Sequence, residues 1–478
     1  MSAQESIEAE LRAATEHAHA GRFLQAQAHA RRVLERKPRQ AEAHYVLALC
    51  ALFQNRHAEA LPFVEKAVSL EGADSQYRFV QGICLAALGR ADEAVESYRK
   101  ALTLRPAFFE AAANLGSVLE GNHRHAQAEE AYGRALRLRP GVPQVLNGLG
   151  MCRLARGDVA GAAEAFGAAV AADPVLAVAR NNFGNSLGRL KRFPEAIVQL
   201  REAVRLRPDY KEAWINLGEQ CYQARQDAEA VAALDRALAL DPDNGGLRHL
   251  RDAIAGVQTG RAPDDYIKGF FDRFAEEFDR RLLGDLEYRT PQRMEAFLAP
   301  WAAGREGRLR IADLGCGTGL SGLVLKPWAA RLDGVDLSGQ MLAKARERGL
   351  YDSLGEAEIA AWLDARPAGE CDLAAAMDVF VYVGDLDSIF RAVRRSLAPG
   401  GLFAFSVERL EGEADYHLAR SGRYAHSAKY LRALAATHGL AEWKLEESVI
   451  RKEAGQPVLG LLAGFTKGDS PLRQWNTA

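Results

Sequence analysis

Residues Ile311-Ala312-Asp313-Leu314-Gly315-Cys316-Gly317-Thr318-Gly319 set one acid and three glycines along a short turn, and Asp336 follows seventeen residues after the last glycine. An apolar segment enters the glycine-rich turn, a helix is expected next, and a second apolar segment ends on a carboxylate. That is the layout of an adenosine-type cofactor site. Glycines let the backbone approach a ligand closely and take positive φ, and an acid at the next strand end accepts hydrogen bonds from ribose hydroxyls.

The spacing discriminates among adenosine cofactors. A dinucleotide fingerprint is Gly-x-Gly-x-x-Gly, which brings a helix N-terminus to a pyrophosphate. Here the order is Asp-x-Gly-x-Gly-x-Gly. A carboxylate before the first glycine repels a pyrophosphate and suits a cation that carries an ammonium and a sulfonium. These residues resemble the first motif of the class I S-adenosylmethionine-dependent methyltransferases. The resemblance implies a Rossmann-like α/β domain with a seven-stranded mixed sheet and S-adenosylmethionine as cofactor. It implies cofactor contacts from Asp313, Gly315, Cys316, Gly317, Gly319, Asp336, Leu337 and Asp378. Met341 is expected against adenine. A short strand around Ala357-Glu358-Ile359 would offer Glu358 to the adenine amine and Ile359 as a wall.

The fourth strand is expected over Asp372–Asp378, running into Val379-Phe380-Val381-Tyr382. Ligands lie outside the carboxyl ends of strands at the switch point, so this segment should face the methyl group. Neither Asp/Asn-Pro-Pro-Tyr nor Pro-Cys is present, which sets aside the planar-amine and cytosine C5 classes. Leu397–Glu408 reads as the turn into a fifth strand, and Glu442–Glu453 with Gln456–Lys467 as the closing hairpin. Asp378, Tyr382, Glu408 and His426 are the titratable groups near the expected mouth, with Asp378, Tyr382 and His426 taken as the catalytic candidates. His426 lies in Ser421-Gly-Arg-Tyr-Ala-His-Ser427, where it is either catalytic or a surface residue, and Arg423 and Tyr424 beside it suit a carboxylate or phosphate. Methyl transfer from a sulfonium is an in-line displacement on an activated donor, so orientation and water exclusion supply about 7–11 kcal/mol of the barrier. A base is needed only where the acceptor is protonated.

The elements around this site begin at Asp264. Tyr266, Phe270, Phe271, Phe274 and Phe278 recur at helical spacing and either pack or cover the cofactor, together with Tyr288 or Arg289. A helix is expected from Leu286–Pro291, and residues 468–478 read as a tail.

The first half is periodic. Prolines stand at 38, 106, 140, 174, 208 and 242, so the recurring interval is 34, and position 72 of the series holds glycine. Counting back gives seven units starting at 7, 41, 75, 109, 143, 177 and 211. Gly82, Gly116, Gly150, Gly184 and Gly218 share one register position. Alanine fills another in every unit, from Ala26 to Ala230, and Tyr98, Tyr132 and Phe166 share a bulky one. Small residues let two antiparallel helices approach, the bulky side chain fills the space beside them, and proline stops the second helix. The pattern resembles the tetratricopeptide repeat and implies an α-solenoid of seven helix pairs with a concave face for an extended protein or peptide segment. Asn114, Asn182 and Asn216 share a position on that face, with Asn147, Asn181 and Asn185 close by. They are either solvated or a ladder for a peptide backbone. The run Asn181–Asn185 is similar to repeats of O-linked N-acetylglucosamine transferases, although no glycosyltransferase half follows.

Domain bounds follow: 7–257 for the array with its capping helix, 258–263 for a linker, 264–467 for the catalytic domain and 468–478 for the tail. The chain has 478 residues, 48% of them hydrophobic, with Lys+Arg 61 against Asp+Glu 63, which disfavours nucleic-acid binding through bulk charge. No signal peptide or transmembrane run is apparent, so no membrane insertion is expected. The six cysteines form no Cys-x-x-Cys pair; a metal site is not expected, and a reducing cytoplasmic compartment is. Oligomeric state is not legible. Taken whole, the chain resembles bacterial predicted methyltransferases carrying tetratricopeptide repeats. That implies a methyltransferase acting on a protein or peptide gripped by the repeats, or on a small molecule with the repeats serving assembly.

Overall fold

The computed structural model describes residues 3–276, 278–280, 288–453 and 456–468. Residues 286–287 of the expected Leu286–Pro291 helix start and residues 469–478 of the tail lie outside this set. The chain forms two compact units, Met1–Arg225 and Gln226–Ala478.

The first unit is a solenoid of helices from Ala3–His19 (α1) to Lys211–Gln223 (α13), and its pairs keep the 34-residue register. Helices begin at Ala41, Ser75, Phe109, Pro143, Ala177 and Lys211, the expected unit starts. The close approach is visible at Gly116, where an added Cβ would stand 2.5 Å from the buried Tyr132 ring; Gly150 stands likewise against Phe166. A further rule emerges at the turn inside each pair. Gly21, Asn55, Gly89, His123, Gly157, Lys191 and Arg225 occupy one register position, and all have φ between +57° and +85°. The left-handed residue ends the first helix, and four of the seven units use a side chain that this conformation disfavours.

Compactness divides the chain at Arg225/Gln226. Asp227–Leu240 (α14) and Gly245–Ala255 (α15), expected to close the array, belong to the second unit. Hydrogen bonds join this stretch to residues 416–426.

Within the second unit the strands are Leu309–Leu314 (β1), Ala329–Asp336 (β2), Ser353–Glu356 (β3), Cys371–Ala376 (β4), Leu397–Arg409 (β5), Tyr416–Leu418 (β6), Tyr424–His426 (β7), Leu440–Glu453 (β8) and Gln456–Lys467 (β9). The order β3-β2-β1-β4-β5 is parallel, and β9 then β8 add antiparallel beyond β5. Seven strands are expected here, and six of these fall on the expected residues. The short β6–β7 hairpin is an addition, pairing β7 with Glu408 and Arg409 at the end of β5. Runs such as Leu373-Ala-Ala-Ala376 and Leu402–Phe405 are fully buried, as parallel strands covered on both faces must be. One expected strand is displaced: Ala357-Glu358-Ile359 follows β3, and Glu358 instead caps the helix Ile359–Asp364 through Ala361 N–H at 2.8 Å. No helix among the described residues is long and apolar enough to cross a membrane.

Candidate active site

The glycine turn leaves β1 and enters the helix Leu320–Leu325. Gly315, at φ +70°, admits no side chain, because a Cβ there would stand 2.5 Å from Val379. Gly315 and Cys316 donate their N–H groups to Val335 O, at 2.8 and 3.0 Å, which ties the turn to β2. Asp336, ending β2, accepts from Gly317 N–H and Ser338 N–H, both at 2.9 Å. Its carboxylate is thereby fixed with lone pairs to spare for hydroxyl donors.

Asp313 is fully buried beneath the turn. Its Oδ2 accepts from the Ser321 hydroxyl at 2.6 Å and the Tyr351 hydroxyl at 2.7 Å. Its Oδ1 is buried with no hydrogen-bond partner. Burial pushes this carboxyl up to about 6, against the pull of the two hydroxyls. An unpaired buried carboxylate oxygen costs about 1–3 kcal/mol or more.

These groups surround a cavity of about 400 Å³. Of the expected cofactor residues, Gly315, Cys316, Gly317, Asp336, Leu337, Met341, Glu358, Ile359 and Asp378 line it, while Asp313 and Gly319 do not. Phe270, Phe271, Phe274 and Phe278 form an aromatic wall with Tyr288; Tyr266 and Arg289 do not line the cavity. The wall is pinned to the cofactor side: Asp272 accepts from Ser338 Oγ at 2.5 Å, Asp279 from Thr318 Oγ1 at 2.5 Å, and Asp279 also pairs with Arg348. Glu358, proposed from the sequence for an adenine amine, is shared between its helix cap and Arg261, 3.3 Å away.

On the acceptor side, Asp378 takes φ +60° at the end of β4, a conformation rare outside glycine and costly unless held. Ser406 Oγ accepts from Asp378 N–H at 2.8 Å, and Arg451 Nη1 donates to its Oδ1 at 2.7 Å. The same guanidinium pairs with Glu408, which removes Glu408 as an independent base. Arg451 is only 2% exposed and serves both carboxylates, so deleting the guanidinium would leave Asp378 and Glu408 without their cation, at about 3–5 kcal/mol. Burial pushes the Tyr382 phenol up to about 12, so it is protonated near neutrality. Arg423 also lines the cavity.

Two expected acceptor residues are placed elsewhere. His426 is fully buried behind the cavity wall, with Nε2–H directed to Gly384 O at 3.0 Å, its ring stacked on Tyr430, and Nδ1 without a partner. Burial lowers it to about 4. Tyr424 is buried as well, its hydroxyl 2.5 Å from Thr259 Oγ1. Both sit in a strand whose inward side chains pack the core, which a polar seven-residue segment does not announce. Sequence reasoning missed Arg451, Tyr351 and Ser321. β8 is dotted with charges along its length, so nothing set Arg451 apart, and Tyr351 comes from a loop 38 residues beyond Asp313.

In the first unit Asn182 donates to Asn147 Oδ1 at 3.0 Å, Asn216 to Asn181 Oδ1 at 2.8 Å, and Asn181 to Asn182 Oδ1 at 3.3 Å. Four amides thus form a ladder through successive repeats. Asn114 stands apart, bonded to the Tyr98 hydroxyl.

A methyltransferase domain family model matches residues 312–405, which span β1 to β5 and the glycine turn. Tetratricopeptide repeat models match 11–76, 114–177 and 181–245, and a second one matches 75–108. The chain carries tetratricopeptide repeats and a methyltransferase domain. Its methyltransferase domain is similar to trans-aconitate 2-methyltransferase of Azoarcus sp. (strain BH72), 34% identical over 26% of this chain and 50% of that protein. It is also similar to ubiquinone biosynthesis O-methyltransferase of Methylococcus capsulatus, 32% identical over 30% of this chain and 64% of that protein. The chain therefore spans about half to just under two thirds of these curated relatives. The repeats are similar to the crystal structure of YrrB, a TPR protein with an unusual peptide-binding site, at 22% identity, covering 40% of this chain and 97% of that one with a TM-score of 0.37.

Proposed function

We propose that this chain is an S-adenosylmethionine-dependent methyltransferase. The observation that carries the proposal is the orphaned, buried Asp313 Oδ1 at a glycine turn whose Gly317, together with Asp336, lines one cavity. Asp313 would answer the ammonium, Asp336 the ribose hydroxyls, and Met341, Leu337 and Ile359 the apolar faces. When bound, the cofactor supplies an electrophilic methyl group on a sulfonium. The chain's own residues orient the acceptor and exclude water: Phe270, Phe271 and Phe274 wall the cavity, and Arg451 holds Asp378 at its edge. All six cysteines are buried, which fits the reducing compartment we assign to the chain.

For the acceptor, we read the repeats as the recruiter of a protein or peptide. The amide ladder from Asn147 to Asn216 supports this, since amides bond a backbone without regard to its sequence. A second reading, a small-molecule acceptor with the repeats serving assembly, is supported by the small molecules in the relatives' names. Purified protein and labelled S-adenosylmethionine added to a lysate separate the two by where the label lands. The triple change of Asn114, Asn182 and Asn216 to Ala should cut protein labelling about tenfold or more if the array grips the acceptor. Unchanged labelling of every acceptor would remove the gripping role.

A further inference from the structure

The β6–β7 hairpin turn, residues 418–424, is bonded at every second residue to one stretch of chain. Leu418 N–H donates to Gln258 Oε1 at 2.6 Å. Arg420 Nε donates to both oxygens of Asp227 at 2.9 Å. Gly422 O accepts from His249 Nε2 at 2.8 Å, and the Tyr424 hydroxyl meets Thr259 Oγ1 at 2.5 Å. His249 is itself buried, between the rings of Tyr266 and Tyr424. The intervening Arg423 is left to line the cavity. The same stretch continues onto the other acceptor-side segment. Gly260 O accepts from Gly384 N–H at 2.9 Å and Asp385 N–H at 2.8 Å, and Ala262 N–H donates to Tyr382 O at 3.0 Å.

We infer that residues 227–262 are a strap that positions the acceptor side of the cavity, with Asp227, His249, Gln258 and Thr259 as positioning residues for Arg423 and Tyr382. A tight hairpin on two three-residue strands has little stability of its own. Without the strap it opens locally, and the guanidinium loses its place even though the sheet and the glycine turn remain intact. The strap comprises what the sequence register assigns to the end of the repeat array, so the catalytic unit is incomplete without it. This inference rests on the methyltransferase reading only for the consequence in turnover.

The test uses the full chain, with Asp227→Ala as the probe because Asp227 is the partly exposed end of the strap and its loss leaves the core untouched. In Asp227→Ala, amide hydrogen exchange over 416–426 should rise about tenfold while β8 and β9 are unchanged, and Asp227→Glu should keep wild-type exchange. S-adenosylmethionine affinity should stay within about twofold, whereas label transfer from it to lysate acceptors should fall about fivefold or more. Unchanged exchange over 416–426 in Asp227→Ala, or exchange raised uniformly across the chain, overturns the strap. Absence of label transfer by the wild-type chain counts against the methyltransferase reading instead, and the exchange comparison still decides the strap.

Discussion

Asp313 and His426 are both buried ionisable side chains, and burial moves them in opposite directions, one up to about 6 and the other down to about 4. They differ in what the burial serves. Asp313 keeps an unanswered oxygen at the glycine turn, while His426 uses one nitrogen to brace Gly384 and leaves the other without a partner. For His426 the folded value lies below the ordinary 6.5, so the neutral ring is favoured by folding. Its contribution is complete above about pH 6.5 and is lost as pH falls towards 4, worth at most about 3 kcal/mol. Urea midpoints of wild type and His426→Gln should therefore converge between pH 7 and 4.5. A constant gap would mean that the ring does not titrate in this way. The sequence made Asp313 legible because glycines at fixed spacing leave few alternatives. It left His426 ambiguous because inward and outward histidines look alike in a short polar segment, and the burial of a three-residue strand is decided by partners far along the chain.

At the scale of elements, the 34-residue register made the repeat helices legible to within a residue at six unit starts, since proline, glycine and alanine each do one job at one position. The turn inside each pair was not legible, because Gly21, Gly89 and Gly157 alternate with Asn55, His123, Lys191 and Arg225 and show no common side chain. Their shared property is backbone conformation. Lys191→Gly should accordingly raise stability by up to about 1 kcal/mol, read as a higher denaturant midpoint. No gain would show that the Lys191 side chain offsets its own strain. Gly116→Ala should do the reverse, costing about 1–3 kcal/mol, because its methyl would have to displace the Tyr132 ring from a packed interior. Thermal melts of the two variants against wild type check both signs. The parallel sheet was legible from its buried runs, whereas the β6–β7 hairpin was not; strands of three residues carry too little pattern.

For the whole molecule, periodicity and motif divide the chain by sequence type, compactness divides it at Arg225/Gln226, and hydrogen bonds join α14 and α15 to residues 416–426. What unites the second unit is one cavity lined by the glycine turn and Asp336 and by the held Arg451. The measurement that tests this account most directly is calorimetric titration of S-adenosylmethionine into wild type and Asp313→Ala, from pH 8 to pH 5. The account predicts one binding event in wild type, weakening by up to about tenfold per pH unit below about 6 as the Asp313 carboxylate is protonated. It predicts a loss of about tenfold to a hundredfold in Asp313→Ala, with the pH dependence gone. Equal affinity of the two proteins across this range, or no binding to wild type, would contradict it.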